Sequence, residues 1–194
     1  FLDWRLEMKR IVLMGLLLLA SASVSALEVA GVKLDDKAQV GAQSLVLNGA
    51  GIRTKYFFKV YVGALYLPQK QVSADAIVAD EHEHRVVLHM LRELSSEKLF
   101  GAFNEAIKAN HTAAELAALD GQLKQMAQIF EAVEEVKPGD VITLDYLPVS
   151  GTQISVNGTK RGTIAGAAFN RALLRIWLGS KPVQDDLKKA LLGG

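Results

Sequence analysis

The longest alternating stretch of the chain begins at Tyr56. Tyr56, Phe58, Val60, Val62, Ala64 and Tyr66 fall on one face; Phe57, Lys59, Tyr61, Gly63 and Leu65 fall on the other. Both faces are largely apolar, which predicts a central strand covered on both sides. Pro68 ends it, because proline cannot donate to a ladder. Upstream, LEVAGVKL and AQVGAQSLVLNGAG are apolar segments broken by glycine and read as strands with tight turns. RVVLHML, residues 85–91, is a further strand. Ser95 and Ser96 offer N-caps to a helix carrying Leu99, Phe100, Phe103, Ala106 and Ile107 at helical spacing. Thr112 and Glu115 form a capping box ahead of a long apolar stripe from Leu116 to Val133, in which Gly121 marks a break or bend. Lys137-Pro138-Gly139-Asp140 is a turn, VITLDYLPV a strand, and TQISVNGTKRG a hairpin around Asn157-Gly158. A helix from Ile164 to Leu178 follows, with Gly179 as a C-terminal glycine cap, and Pro182 opens a last short helix from Val183 to Leu192. Strands, helices, strands and helices without regular βαβ alternation define an α+β class with a mainly antiparallel sheet.

The N-terminal residues do not belong to this pattern. Lys9-Arg10 precede an apolar run, Ile11 to Ala20, and a small-residue stretch closes on Val24-Ser25-Ala26. That order describes a secretory signal peptide; the run is short for a transmembrane span. Met8 is read as the natural start, so residues 1–26 are signal peptide with upstream residues and 27–194 a single domain. Without Arg5, Lys9, Arg10, Asp3 and Glu7, the 22 basic and 21 acidic groups fall to 19 of each. A net charge of zero points to no nucleic-acid partner. The chain has no cysteine, which excludes disulfides, cysteine-ligated metals and a lipid-anchored lipoprotein. The expected place is the bacterial periplasm, with no stable membrane anchor after cleavage near Ala26, and the expected state is a monomer.

Few constellations carry chemistry. His82, His84 and His89 invite a metal site, but Glu81 and Glu83 beside them fit a solvated strand entry, so no metal is assigned. No serine sits in a nucleophile elbow, and Gly49-Ala50-Gly51 opens no phosphate loop, so no cofactor is assigned. Glu134-Glu135 and Lys188-Lys189 read as solvated helix positions. Arg53 stands out, a cation between a glycine cluster and a run of aromatics. It is either a surface arginine whose stem packs on apolar neighbours, or a buried cation awaiting a ligand carboxylate or phenolate.

GAGIR followed by FFKVYVGALYL resembles the N-terminal signature of the chalcone isomerase fold; KPGDVITLDYLPVSGTQISVNG resembles its Pro-Gly turn and hairpin, and RIWLG the end of its last long helix. The likeness spans residues 27–192 and is greatest to the bacterial chalcone isomerase-like proteins. It implies an open-faced β-sandwich of chalcone isomerase type, a large antiparallel sheet with helices packed on one face and a cleft between them. Plant members close a flavanone ring there; non-catalytic relatives bind fatty acids. The family arginine maps onto Arg53. The next position, threonine in the enzymes and tyrosine in the binders, maps onto Tyr61. The enzymes' helix tyrosine and asparagine map onto Ser95 and Ala102, so neither is kept, with Asn104 the only asparagine nearby; their last threonine maps onto Thr159 or Thr163. The resemblance therefore implies a fatty acid or similar amphipathic carboxylate as ligand, without catalysis. Arg53 and Tyr61 form the clamp, and Tyr56, Phe57, Phe100, Phe103 and Met126 the walls. The alternatives are an isomerase, or intramolecular lyase, acting on a chalcone-like phenolic ligand, and a periplasmic interaction module with a vestigial cleft. The clamp carries a geometric condition. On one straight strand Arg53 and Tyr61 would stand about 26 Å apart, at about 3.3 Å per residue, so the chain must turn between them, and Thr54-Lys55 is the expected place.

Overall fold

The computed structural model describes residues 26–194; the segment read as an export signal lies outside the described residues except for Ala26. In chain order the strands are β1 (Leu27–Val29), β2 (Val32–Leu34), β3 (Lys37–Val40), β4 (Gln43–Lys55), β5 (Phe58–Leu67), β6 (His84–Met90), β7 (Leu94–Ser95), β8 (Glu135–Val136), β9 (Val141–Leu147), β10 (Gly151–Val156) and β11 (Thr159–Ile164). The helices are α1 (Ala74–Ala79), α2 (Ser96–Ala109), α3 (Ala113–Ala118), α4 (Asp120–Glu131), α5 (Ala167–Leu178) and α6 (Asp185–Leu191). Seven strands form one antiparallel sheet in the order β11-β10-β9-β6-β5-β4-β3, while β1 pairs with β2 and β7 with β8. The α+β class is as the sequence pattern predicts, and the helical layer on one face is as the resemblance implies. Among the described residues no helix is long and apolar enough to cross a membrane.

Each face of the sheet has its own core, which explains why β5 is apolar on both sides. Leu65 and Leu67 face the helices and join Phe103, Met126, Phe169, Trp177 and Leu187. Val62, Ala64 and Tyr66 face the other way and join Leu34, Val40 and Leu45. This second face is closed by the β1–β2 hairpin and by β3, which curls over to reach β6 and β9. The Tyr66 hydroxyl locks the closure by donating to the Asp35 carbonyl at 2.9 Å, and burial pushes its pKa up to about 12.

The glycine cluster before Arg53 seats the C-terminal helix. A Cβ on Gly49 would lie 2.0 Å from the Ala190 carbonyl oxygen, and one on Gly51 would lie 2.7 Å from the Ala190 Cβ. Only hydrogen fits where α6 crosses β4. Asn48, bulged out of the β4–β5 register, completes the seat: its side chain donates to the Leu191 carbonyl at 2.8 Å and to the Gln71 carbonyl at 2.9 Å. LNGAG is therefore a docking seam for the end of the chain.

Several boundaries differ from the sequence pattern. The expected strand start at Tyr56 moves to Phe58, because Tyr56 adopts φ 56° and belongs to a turn. The apolar stripe after the Thr112–Glu115 capping box does break, but at Leu119, with φ −102° and ψ 6°; Gly121 lies inside α4. Leu119 is buried, and its packing overrides the weaker signal of an exposed glycine. Ile164 ends β11 and α5 starts at Ala167. Gly179 does follow α5, yet not in a left-handed conformation: its φ is −68°, and a side chain there would meet the Asn110 Oδ1 at 2.3 Å. The last helix starts at Asp185 rather than Val183. The Asn157-Gly158 hairpin and the Lys137–Asp140 turn form as predicted, with Asn157 at φ 51°, Gly158 at φ 75° and Gly139 at φ 93°.

The histidines do not converge. His82 pairs with Asp80 at the surface, whereas His84 is buried, with its Nε2 at 3.0 Å from Asn170 Oδ1 and its ring against Tyr146. Burial holds the His84 pKa below its ordinary value of 6.5, and half-buried His89 is shifted the same way. The unfolded chain then takes these protons first, so the stability is fully present above about pH 6.5 and is lost as pH falls. Melting curves from pH 7.5 to 5 are expected to show a falling Tm, with a shallower slope in His84→Gln. An unaltered slope would remove His84 as the cause.

Candidate functional site

β4 and β5 are two arms of one hairpin, and this meets the condition on the clamp. Arg53 pairs directly with Tyr61 across the ladder. Directly opposed residues carry their Cβ atoms about 4.5–5.5 Å apart on one face, so eight residues of sequence collapse to neighbours. The turn is not at Thr54-Lys55, which stay in the ladder opposite Lys59 and Phe58. It is at Tyr56-Phe57, beyond a bulge that leaves Val60 unpaired between Arg53 and Thr54 in register. The bulge lets Val60, Tyr61 and Arg53 all border the same cavity.

That cavity has a volume of about 740 Å³ and lies between the sheet and α2, α4 and α5, within the roughly 300–1,000 Å³ of small-molecule sites. Phe103, Met126 and Phe130 border it from the helices, and Leu144 and Ile154 from the sheet. Phe103 and Phe130 hold each other at 5.6 Å between ring centroids, with Phe100 supporting both from behind rather than lining the space. Tyr56 reaches the rim but is 84% exposed. Phe57, expected as a wall, does not line the cavity: it sits at the hairpin tip, 97% exposed, because the turn directs it outward.

Arg53 makes no salt bridge among the described residues. Its Nη1 donates to two neutral acceptors, the Thr54 carbonyl at 2.7 Å and Gln184 Oε1 at 3.3 Å. Gln184 also accepts from the Thr54 amide at 2.8 Å and donates to the Ile52 carbonyl at 3.3 Å. It precedes α6, so the helix seated on Gly49 and Gly51 also positions the arginine. Arg85, by contrast, has its charge paired by Asp145, which accepts from it bidentately at 2.6 and 2.7 Å.

Tyr61 accepts a hydrogen bond from Trp177 Nε1 at 2.9 Å. Burial raises its pKa, outweighing the lowering by Trp177 and by the Arg53 cation. The hydroxyl therefore stays protonated and, with its oxygen already accepting, has its hydrogen free to donate. A guanidinium and a donor hydroxyl side by side suit a carboxylate.

The positions equivalent to the enzymes' other polar groups do not supply this cavity with hydroxyls. Ser95 is the N-cap of α2, its oxygen accepting from the Lys98 amide at 3.4 Å. Ala102 borders the cavity but carries no polar atom; Asn104, Thr159 and Thr163 do not border it. Gln184 and Phe130 are site residues that sequence reasoning missed as such. Phe130 was visible in the apolar stripe of α4, but Gln184 gave no signal, since its role rests on contacts 130 and more positions away.

The family model described as chalcone isomerase-like matches residues 26–193. No curated protein sequence matches the chain. The crystal structure of a fatty-acid binding protein of Arabidopsis thaliana superposes with a TM-score of 0.68, at 15% identity, over 87% of this chain and 96% of that one. At that identity the likeness shows a shared fold, and the family match covers nearly every described residue. The chain belongs to the chalcone isomerase-like family.

Proposed function

We propose that the protein binds a fatty acid or similar amphipathic carboxylate in the cavity, head group on Arg53 and Tyr61, without catalysis. The observation that carries this reading is Arg53 itself: a permanent cation bordering an apolar cavity, opposite a protonated tyrosine, with only neutral acceptors among the described residues. The fatty-acid-binding function of the Arabidopsis relative agrees with it. Ring closure requires an oriented ketone and a stabilised phenolate, and the enzymes' helix hydroxyl and amide have no counterpart in the cavity. Export to the periplasm of a bacterial cell is part of the proposal and rests on residues 8–26.

Native mass spectrometry of protein from its own cells is expected to show a co-purifying fatty acid. Enzyme-dependent loss of chalcone absorbance, abolished in Arg53→Ala, would overturn the non-catalytic reading. Tyr61→Phe is expected to weaken a fluorescent fatty acid about fivefold, the loss of one hydrogen bond at about 1 kcal/mol. Gln184→Glu tests how Arg53 is held. The new carboxylate would pair with the guanidinium and compete with the ligand, so it is expected to weaken binding more than Gln184→Ala. Equal affinities in the two variants would mean that Gln184 does not position Arg53.

A further inference from the structure

The largest exposed apolar feature among the described residues is the tip of the β4–β5 hairpin. Tyr56, Phe57 and Phe58 are consecutive and 84%, 97% and 57% exposed. The other exposed large hydrophobics, Leu27, Val72 and Val149, stand singly. Tyr56 moreover occupies a left-handed conformation, φ 56°, where asparagine or glycine is less strained. A bulky aromatic at such a position is a strained feature that the fold itself does not require.

Basic residues adjoin the tip, while the nearest acids toward its base, Asp185 and Asp186, follow Gln184 at the start of α6. Lys55 and Lys59 flank the aromatics in sequence, and the Arg92 guanidinium lies over the Phe58 ring at 4.5 Å. The charged residues that border the cavity are Arg53, Lys55, Arg92, Lys98 and Lys181, against Glu105 alone. The domain as a whole is balanced in charge, so this is a local concentration.

We propose that the hairpin tip and its basic surround dock the protein reversibly on an anionic lipid bilayer. Exposed aromatics and cations are the two signals that together hold a peripheral protein at an interface. A protein partner fits less well. Three aromatics bury about 150–250 Å² each, which falls short of the roughly 800 Å² per side of a stable protein interface, whereas a bilayer yields to any convex tip. Docking would bring the cavity rim, which Tyr56 and Phe58 border, onto the lipid surface. A fatty acid could then pass between bilayer and cavity without crossing water, a consequence that rests on the ligand reading above.

The test is co-sedimentation of the protein from its own cells with vesicles of phosphatidylcholine alone or mixed with phosphatidylglycerol. Binding is expected on the mixed vesicles, weak on the neutral ones, and lost as salt shortens the screening length to about 3 Å near 1 M. Phe57→Ser and Lys59→Glu, neither of which borders the cavity, are each expected to lower partitioning more than tenfold. Every variant carries the same N-terminus, so the differences report the hairpin alone. Binding that ignores both substitutions, equal binding to both vesicle types, or binding to neither would overturn the proposal. Both variants should still take up a soluble fluorescent fatty acid. That measurement separates a failure of docking from a failure of the ligand assignment.

Discussion

Replacing Arg53 by alanine is expected to weaken the binding of a fluorescent fatty acid about tenfold to 150-fold. A hydrogen bond to a charged group contributes about 1.5–3 kcal/mol, and each 1.4 kcal/mol is tenfold in affinity. The fold should tolerate the change. Arg53 has no carboxylate partner among the described residues, so its removal strands no buried anion, and Gln184 Oε1 retains the Thr54 amide. The control is the methyl ester of the same acid. It has no charge for the guanidinium, and its weaker affinity should be nearly the same in wild type and variant. Unchanged affinity for the free acid would remove Arg53 as the anchor. Loss of both ligands in parallel would mean that the substitution had collapsed the cavity.

The second large effect concerns the seam beneath the site. Gly49→Ala places a methyl where the Ala190 carbonyl oxygen would be 2.0 Å away and the Leu191 oxygen 2.7 Å away. Both obstacles are backbone, so no side chain can rotate to relieve them. Either β4 or α6 must shift. Overpacking costs about 1–3 kcal/mol and occasionally more, and this contact belongs at the upper end. Around 3 kcal/mol is expected, a fall in Tm of about 6–12 °C for a domain of this size. The displacement should also reach the ligand, because α6 carries Leu187 into the core and follows directly from Gln184, which holds Arg53. Gly101→Ala is the matched control: it lies in α2 with no atom within 4 Å of the added Cβ, and alanine favours a helix. A variant Gly49→Ala that melts with wild type would show that the seam is loose.

Much of this was legible in the sequence, for reasons that differ element by element. The alternation after Phe58 made β5 a two-sided strand because side chains on a strand alternate with period two and both faces are covered. The capping box at Thr112 and the Asn157-Gly158 turn were legible because they are local hydrogen-bond and dihedral requirements, complete within four residues. Arg53 and Tyr61 were identified through the family resemblance, and their shared face became plausible only with a turn between them.

The rest was not local. The pattern places the turn two residues early, at Thr54-Lys55, because an exposed Tyr56-Phe57 pair violates the usual chemistry of tight turns; an aromatic run reads as strand or core. The same preference predicts Phe57 in a cavity wall. Composition says that an aromatic side chain prefers burial, and cannot say that its Cβ points away from the body of the protein. Gly49 and Gly51 were seen as a cluster without a purpose, since what they accommodate lies about 140 residues along the chain.

The sequence by itself determined the α+β class, the strand that carries Tyr61, and the presence of a cation with no acidic neighbour in sequence. These follow from periodicity and residue chemistry, which act over a few positions. The tertiary structure decided the rest. It set Arg53 against Tyr61, brought Trp177 and Gln184 to hold them, and turned the aromatic run into a tip that faces outward. The physical reason is that each of these depends on which hairpin register and which helix seat bury the most surface without a clash. That sum runs over residues distant in the chain, and no short stretch contains it.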